Sequence, residues 1–201
     1  IRHSVVRAFE NEDIVHVSGK VTPIDDIEVI NTELVLADLS IVEKLYQKAI
    51  KSTKAGQKEG LPLRELLEKI LPILEEGECL RTVSFSHEEQ KLLKGFQLLT
   101  NKPVLYVANV NESGFENNPH LKSIYDFAEN EDSEVVAICA ELEAEITTLP
   151  IEEKKEFLSD IGQAESGLDR VIKAGYKLLG LQTYFTAGEK EVRAWTINIG
   201  D

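Results

Sequence analysis

Methionine is absent from the 201 residues, and cysteine occurs only twice. Two cysteines, Cys79 and Cys139, are too few for a disulfide framework, which suits the reducing cytoplasm, and their separation excludes a zinc cluster built from cysteines. The histidines are scattered and lack the partner spacing of a metal site. Because an open reading frame begins with methionine, a chain that starts at Ile1 is expected to be an internal fragment.

Long apolar runs and an excess of basic residues are also lacking. No run approaches the roughly 18 apolar residues of a membrane-spanning helix, and no signal peptide opens the chain, so no membrane partner is expected. With 36 acidic and 22 basic side chains the net charge is −14. Such a chain is not attracted as a whole to phosphate backbones, so a nucleic-acid contact would need a local basic patch. The hydrophobic content of 42% is typical of a globular protein with a packed core.

Apolar spacing predicts a helical hairpin in the first half of the chain. From residue 27 onward, apolar residues recur in steps of three and four, close to a heptad seam: Ile27, Ile30, Leu34, Ala37, Ile41 and Leu45. A polar break at 56–60 separates this helix from a second one at 62–76, in which Pro72 is expected to introduce a kink or an early end. Two helices joined by a short polar turn predict an antiparallel pair.

On either side of this hairpin the pattern indicates strands alternating with helices. Runs rich in β-branched or apolar residues at 4–9, 103–108 and 134–139 predict strands, and a helix lies between the last two. Strand, helix, strand is a βαβ unit, so the fold class is α/β, with a parallel sheet interrupted by an all-helical insert. The predicted domains are residues 1–24 and 85–181 for the α/β domain, 25–84 for the insert, and 182–201 for the start of a further β domain.

Polar residues follow two of the predicted strands. Asn109 and Glu112 come after one strand, and Cys139, Ala140 and Glu141 come after the next. Ligands of open α/β sheets bind beyond such carboxyl ends. An Asn amide can tie a bound base to the surrounding loops, and an acid three residues later can accept hydrogen bonds from the base edge. The alternatives are that Asn109 is a turn former at a strand end and that Cys139 and Ala140 are small packing residues.

Several longer motifs resemble one family. They are RAFE (7–10), DDIEVINTEL (25–34), NVNE (109–112), FENNP (115–119), LQTYFTAG (181–188) and KEVRAWT (190–196). Together they resemble the YchF family, also called EngD, over nearly the whole chain. These proteins are Obg-related P-loop NTPases of the translation-factor class. The resemblance implies a Ras-like nucleotide-binding sheet, an inserted antiparallel coiled-coil domain and a TGS β-grasp domain that would start at residues 182–201.

The resemblance also implies an activity and a partner. YchF proteins bind and hydrolyse ATP in preference to GTP and associate with the ribosome, through its large subunit or the whole particle. In the family the P-loop, the switches and the Mg²⁺ ligands precede the region present here, so the chain is expected to hold the base-recognition half of the site and to be inactive alone. The alternatives are a ribosome- or RNA-interaction module in which the nucleotide acts only as a conformational switch, and GTP as the nucleotide.

The family's base-reading residues can be matched one by one. Asn109 and Glu112 match the base-specificity motif, with Glu where GTPases carry Asp. Because Glu is one methylene longer, its carboxylate is moved away from the paired hydrogen bonds that the shorter acid makes to guanine. The resemblance implies that Val110 contacts adenine through its backbone and that residues 139–141 wall the far side of the base.

Histidine and cysteine supply the candidates for reactive side chains. The resemblance implies that His16 replaces the water-positioning Gln of Ras-like GTPases, and a histidine can orient water or act as a base near neutral pH. The alternative is a surface or capping histidine without a catalytic role. Cys79 and Cys139 are expected to be packing residues, since neither has a neighbouring base in sequence that would activate the thiol; the alternative is a redox sensor.

Lysines of the first predicted helix and of the polar break after it form a basic cluster on this acidic chain: Lys44, Lys48, Lys51, Lys54 and Lys58. The last three are expected to gather at the tip of the hairpin, where they could contact the phosphates of ribosomal RNA. The alternative is a solvated helix end whose positive charges complement the helix dipole.

Overall fold

The computed structural model describes residues 1–11, 20–54 and 60–200. Its strands are β1 (Arg2–Arg7), β2 (Val104–Asn109), β3 (Glu134–Ile138), β4 (Leu181–Ala187) and β5 (Val192–Asn198). Its helices are α1 (Pro23–Lys54), α2 (Leu61–Glu75), α3 (His87–Lys94), α4 (Pro119–Asn130), α5 (Ala140–Thr148), α6 (Ile151–Asp160) and α7 (Gly167–Leu178). The chain divides into two compact units, Ile1–Ile24 with Pro103–Asp201, here called the sheet unit, and Asp25–Lys102, the helical unit.

The sheet unit is built on three parallel strands in the order β1–β2–β3. The central strand β2 is apolar and buried along its first five residues. A strand that is covered on both faces has this composition, because neither face meets water. The predicted α/β fold with a parallel sheet is confirmed, and the strand that precedes the helical segment shares the sheet with the strands that follow it.

Helices cover both faces of β2. Leu105 and Val107 point to one face, where residues of α7 pack against them. Tyr106 points to the other face, where its ring meets Phe127 of α4 edge-on and its hydroxyl donates a 2.8 Å hydrogen bond to Glu131, just after that helix. The buried tyrosine therefore has a partner for its polar end, as a satisfied core requires.

The helical unit has its core between α1 and α2. The buried core residues of these helices are Val35, Val42 and Ala49 from α1 and Leu66, Leu67, Ile70 and Leu74 from α2. The predicted seam of α1 is wrong at Ala37 and Ile41, which are exposed. Ile41 is 42% exposed, whereas its neighbour Val42 is fully buried. Because α1 carries apolar residues on several faces, packing against α2 rather than periodicity selects the buried one.

Pro72 does not end α2 early, so of the two expected effects only a kink stays a prediction. The helix continues to Glu75, and the amide of Glu76 donates a 3.0 Å hydrogen bond to the carbonyl of Pro72. Pro72 and Glu68, whose carbonyl the missing amide would have bonded, both lie on the exposed side of the helix. Water can satisfy that carbonyl, so the buried residues of α2 keep the helix intact across the proline.

The helical unit extends beyond residue 84, where the sequence analysis ended the insert. Leu93 of α3 and the following Leu98 lie in the core of this unit. The fully buried carboxylate of Asp38 accepts hydrogen bonds from the amides of Leu99 (2.9 Å) and Thr100 (2.7 Å) and from the Thr100 hydroxyl (2.7 Å). Sequence periodicity could not reveal these contacts, because they join residues about sixty positions apart.

The last two strands form a sheet of their own. β4 and β5 pair antiparallel, and nearly all of their residues are exposed. The hydroxyl groups of Tyr176 in α7 and Thr196 in β5 lie 3.2 Å apart, and this contact joins the β4–β5 pair to the rest of the sheet unit. Within the described ranges no helix is both long and apolar enough to cross a membrane.

Candidate functional site

The carboxyl ends of the three parallel strands lie in register. Arg7 at the end of β1 pairs with Asn109 at the end of β2, and Asn109 pairs with Ile138 at the end of β3. The loops that follow β2 and β3 therefore leave the sheet at one edge, the edge where open α/β sheets bind their ligands. All of the predicted base-binding residues lie at the end of β2, on the loop that follows it, or at Cys139 and the first turn of α5.

Asn109 connects the two loops. Its side-chain Oδ1 accepts a 3.0 Å hydrogen bond from the amide of Ala140, the first residue of α5. Its backbone carbonyl accepts a 2.8 Å hydrogen bond from the amide of Ala8, directly after β1. No hydrogen bond links its Nδ2 amine to another described residue, so that amine remains a donor for a ligand.

The loop after β2 is a tight turn. Val110 is 1% exposed, and its amide donates a 2.8 Å hydrogen bond to the carbonyl of Ile138. The turn is closed by the amide of Gly114, which donates to the carbonyl of Asn111 at 2.9 Å. A Cβ on Gly114 would lie 3.1 Å from the Cβ of Val110 and would displace the Asn111 side chain, so the tight turn favours glycine. Glu112 lies within this turn and is exposed.

After β3 the chain passes through Cys139 directly into α5. Cys139 precedes the helix, is buried and makes no capping hydrogen bond through its side chain. Ala140 and Glu141 are exposed in the first turn. The structure thus brings Ala140 against Asn109, and Cys139 and Glu141 are its neighbours along the chain.

Two residues that no sequence pattern indicated, Glu143 and Gly167, fix α5 against α7. The Glu143 carboxylate accepts hydrogen bonds from the amides of Gly167 (2.6 Å) and Leu168 (3.1 Å), which start α7. A Cβ on Gly167 would lie 2.8 Å from both Glu143 Oε1 and Ile138 Cγ2, so only glycine allows this approach. Ser166 is readable in sequence as the cap of α7, but the partnership with Glu143 is a tertiary contact without a local signal.

The remaining predicted residues are not among the described residues of this edge. His16 and Lys58 lie outside the residues that the structure describes. Lys51 and Lys54 are exposed in the last turn of α1, in the helical unit. The described part of the chain contains no group of three or more His, Cys, Asp or Glu that could hold a metal ion.

Comparison with known proteins gives consistent results. No family model matches the chain. The chain is 55% identical over 196 residues to the ribosome-binding ATPase YchF of Haemophilus ducreyi and to that of Escherichia coli O157:H7. It is 50% identical over 199 residues to the ribosome-binding ATPase YchF of Bacillus subtilis. Each match covers 98% of this chain and 54% of the relative, so the chain spans about half the length of the curated relatives it matches.

A solved structure is similar over the same extent. The YchF GTPase of Schizosaccharomyces pombe superimposes with a TM-score of 0.87 at 32% sequence identity. The match covers 99% of this chain and 55% of the chain in that structure. Sequence and fold therefore agree on one set of relatives.

Proposed function

Because the chain belongs to the YchF family, we propose that it forms the base-recognition part of the nucleotide site in a ribosome-binding, ATP-hydrolysing P-loop NTPase. The names of its relatives support an ATPase that binds ribosomes, which would act in the cytoplasm. The observation that carries the proposal is the hydrogen bond from the Ala140 amide to Asn109 Oδ1. It leaves the Asn109 amine to donate to a purine N7, an acceptor in both adenine and guanine.

The backbone of Val110 supports adenine as the base. Its amide is occupied by the Ile138 carbonyl, so the group that this backbone can offer a ligand is the Val110 carbonyl, an acceptor. Adenine carries a donor amine at the position where guanine carries an acceptor oxygen. An acceptor facing that position would attract adenine and repel guanine, and the longer Glu112 in place of Asp adds to the same preference.

Calorimetric titration of the full-length protein with ATP and GTP tests the nucleotide. ATP is expected to bind more tightly, and Glu112→Asp is expected to reduce the preference by improving the fit to guanine. GTP is the second candidate, because the similar solved structure is named a GTPase. Tighter binding of GTP than of ATP by the wild-type protein would establish it and overturn the ATP proposal.

Hydrolysis requires groups beyond the base site. His16 is the candidate for orienting the attacking water, as the resemblance implies, and it lies outside the described residues. A nucleotide of this kind is used with Mg²⁺, which would neutralise charge on the phosphates. Since the described residues include no cluster suited to a metal ion, their role in this proposal is limited to binding and orienting the base.

Ribosome binding is assigned to the helical unit. Lys51 and Lys54 are exposed and form no ion pair with other described residues, so their charges are available for phosphates. The competing function is a module in which the nucleotide only switches conformation. Co-sedimentation with ribosomes in ATP and in a non-hydrolysable analogue separates the two. Equal binding in both would favour the switch, and binding that depends on turnover would favour the ATPase.

A further inference from the structure

Asn118 is bonded to three separate segments of the sheet unit. Its Nδ2 amine donates to the carbonyl of Ala8 at 2.8 Å and to the carbonyl of Gly114 at 3.0 Å. Its Oδ1 accepts from the amides of His120 (3.0 Å) and Leu121 (3.2 Å), which begin α4. The Asn118 side chain therefore donates two hydrogen bonds through its amine and accepts two through its oxygen, which uses its full capacity.

These contacts complete the attachment of the loop after β2. At its start the loop is held by Asn109 and Val110, through the bonds to Ala140 and Ile138. At its end Gly114 closes the turn with its amide and offers its carbonyl to Asn118. The Asn118 amine also donates to the carbonyl of Ala8, which ties the Gly114 end of the loop to the residue directly after β1. Both ends of the loop are therefore held to neighbouring segments by hydrogen bonds.

The backbone before Asn118 directs its side chain into this position. Asn117 has a φ of 53°, in the left-handed region that asparagine tolerates better than most residues. Asn118 itself is extended, with a φ of −98° and a ψ of 109°, as an N-cap before Pro119 at the first helical position requires. The chain thus reverses at Asn117 and presents the Asn118 amide to the loop that it has just left.

We propose that Asn118 is a positioning residue for the nucleotide base. Its amine ties the Gly114 end of the 109–114 loop to Ala8, directly after β1, and this holds the loop in the position that the base requires. The inference rests on the proposed function, since the loop's ligand is the base of ATP. Preorganised loops bind more tightly because no ordering cost remains at the moment of binding. Loss of the amine is therefore expected to weaken ATP binding about tenfold, the equivalent of one good hydrogen bond.

The competing explanation is that Asn118 only caps α4, and two substitutions separate the roles. Asn118→Asp and Asn118→Ser both keep an oxygen that can accept from the helix amides, and both rank with asparagine as N-caps. Both remove the amine that donates to Ala8 and Gly114. Agreement between the two variants would exclude the added charge of aspartate as the cause. Asn130→Asp is the matched control, because Asn130 donates through its own amine at the opposite end of the same helix.

The experiment is calorimetric titration of the full-length wild type and the three variants with ATP and GTP, below the thermal midpoint of each. Both Asn118 variants are expected to raise the Kd for ATP about tenfold and to move the ATP-to-GTP ratio of Kd values toward one. The Asn130→Asp control should keep the wild-type Kd for ATP and the wild-type ratio of Kd values. A merely structural cap would change the thermal midpoint without changing that ratio.

Hydrogen exchange gives a second readout that does not depend on the nucleotide. Amides of residues 110–114 are expected to exchange faster in both Asn118 variants, while those at the start of α4 keep their protection. Wild-type affinity for ATP together with wild-type exchange in both variants would overturn the inference and leave the proposed function standing. Failure of the wild-type protein to bind either nucleotide would instead overturn the proposed function, and this inference with it.

Discussion

The edge of the sheet and the basic face of α1 use their polar side chains in opposite ways. At the edge of the sheet, the amides of Asn109 and Asn118 are bonded to backbone groups of neighbouring segments. On α1, by contrast, the lysines Lys44, Lys48 and Lys51 stay exposed and follow one another in steps of four and three. Fixed loops suit the recognition of a small molecule, whereas an exposed basic face suits contact with a large polyanion. Substitutions in the two units are therefore expected to separate two functions.

The largest effect is expected for His16→Ala in the full-length protein. If this histidine orients water, ATP turnover should fall by about ten- to ten-thousand-fold, the range for loss of a positioned acid–base group. The Kd for ATP and co-sedimentation with ribosomes should stay close to the wild-type values, because the base site and the lysines are untouched. Steady-state turnover, calorimetry and sedimentation on one preparation measure all three. Unchanged turnover would leave His16 as a surface or capping residue.

The second prediction tests which face of α1 is buried. Val42→Ala removes a fully buried side chain of the helical core and is expected to lower the free energy of unfolding by about 2 kcal/mol. Ile41→Ala is the matched control at the adjacent position, where the side chain is 42% exposed, and it should cost less than about 0.5 kcal/mol. Urea unfolding of both variants gives the comparison. A larger loss at Ile41 would restore the seam that periodicity predicts.

These two units also differ in how far sequence determines them. In β2 every residue from Val104 to Ala108 is apolar, so a strand covered on both faces is the arrangement that satisfies all of them, and its place in a parallel sheet follows. In α1 apolar residues occur on several faces, and Val29 and Leu36 remain exposed. Local periodicity cannot choose among such faces, because the choice is made by contacts with α2 and with the segment after α3.

The sequence indicated which residues of the candidate site follow the strands, but not the tertiary contacts that hold them. Asn109 could be singled out because it ends an apolar strand, where the geometry of α/β sheets places ligands. Two of the bonds that fix its loop run from Ala140 to Asn109 and from Asn118 to Ala8, and they join residues 31 and 110 positions apart. Asn118 before Pro119 is recognisable as a helix start, but nothing local indicates that its amine reaches back to Ala8.

A third prediction concerns the basic side of the comparison. Replacing Lys51, Lys54 and Lys58 by Ala is expected to weaken ribosome binding and to reduce the slope of log affinity against log salt by up to about three, one for each lost phosphate contact. Turnover of ATP without ribosomes should not change. The control is Ala at Lys122, Lys155 and Lys190, three exposed lysines of the sheet unit that carry the same total charge. Equal binding by both triple variants at every salt concentration would mean that the lysines are only a solvated helix end.

The smallest expected effect is a pH dependence confined to the helical unit. The carboxylate of Glu68 accepts a 2.8 Å hydrogen bond from Arg64 Nε and a 3.0 Å hydrogen bond from the Tyr46 hydroxyl. The bond from Arg64, followed by that from Tyr46, lowers the pKa of Glu68 below its ordinary value of 4.5, and the same contact with Glu68 raises the pKa of Tyr46. Because the folded-state pKa is the lower one, the pair stabilises the helical unit above the unfolded-state pKa, and this contribution is lost as the pH falls through the folded value.

The measurement is the difference in unfolding free energy between wild type and Glu68→Gln from pH 7 down to pH 3. That difference should be constant down to about pH 5 and shrink below the ordinary pKa of 4.5. Its size should be modest and should fall further with salt, because both charged partners are more than a third exposed. Glu65→Gln on the same helix provides the control for losing one negative charge from an acidic chain. A difference between the two variants that grows as the pH falls would contradict the assigned sign, and with it the stabilising role of the Arg64–Glu68–Tyr46 contact.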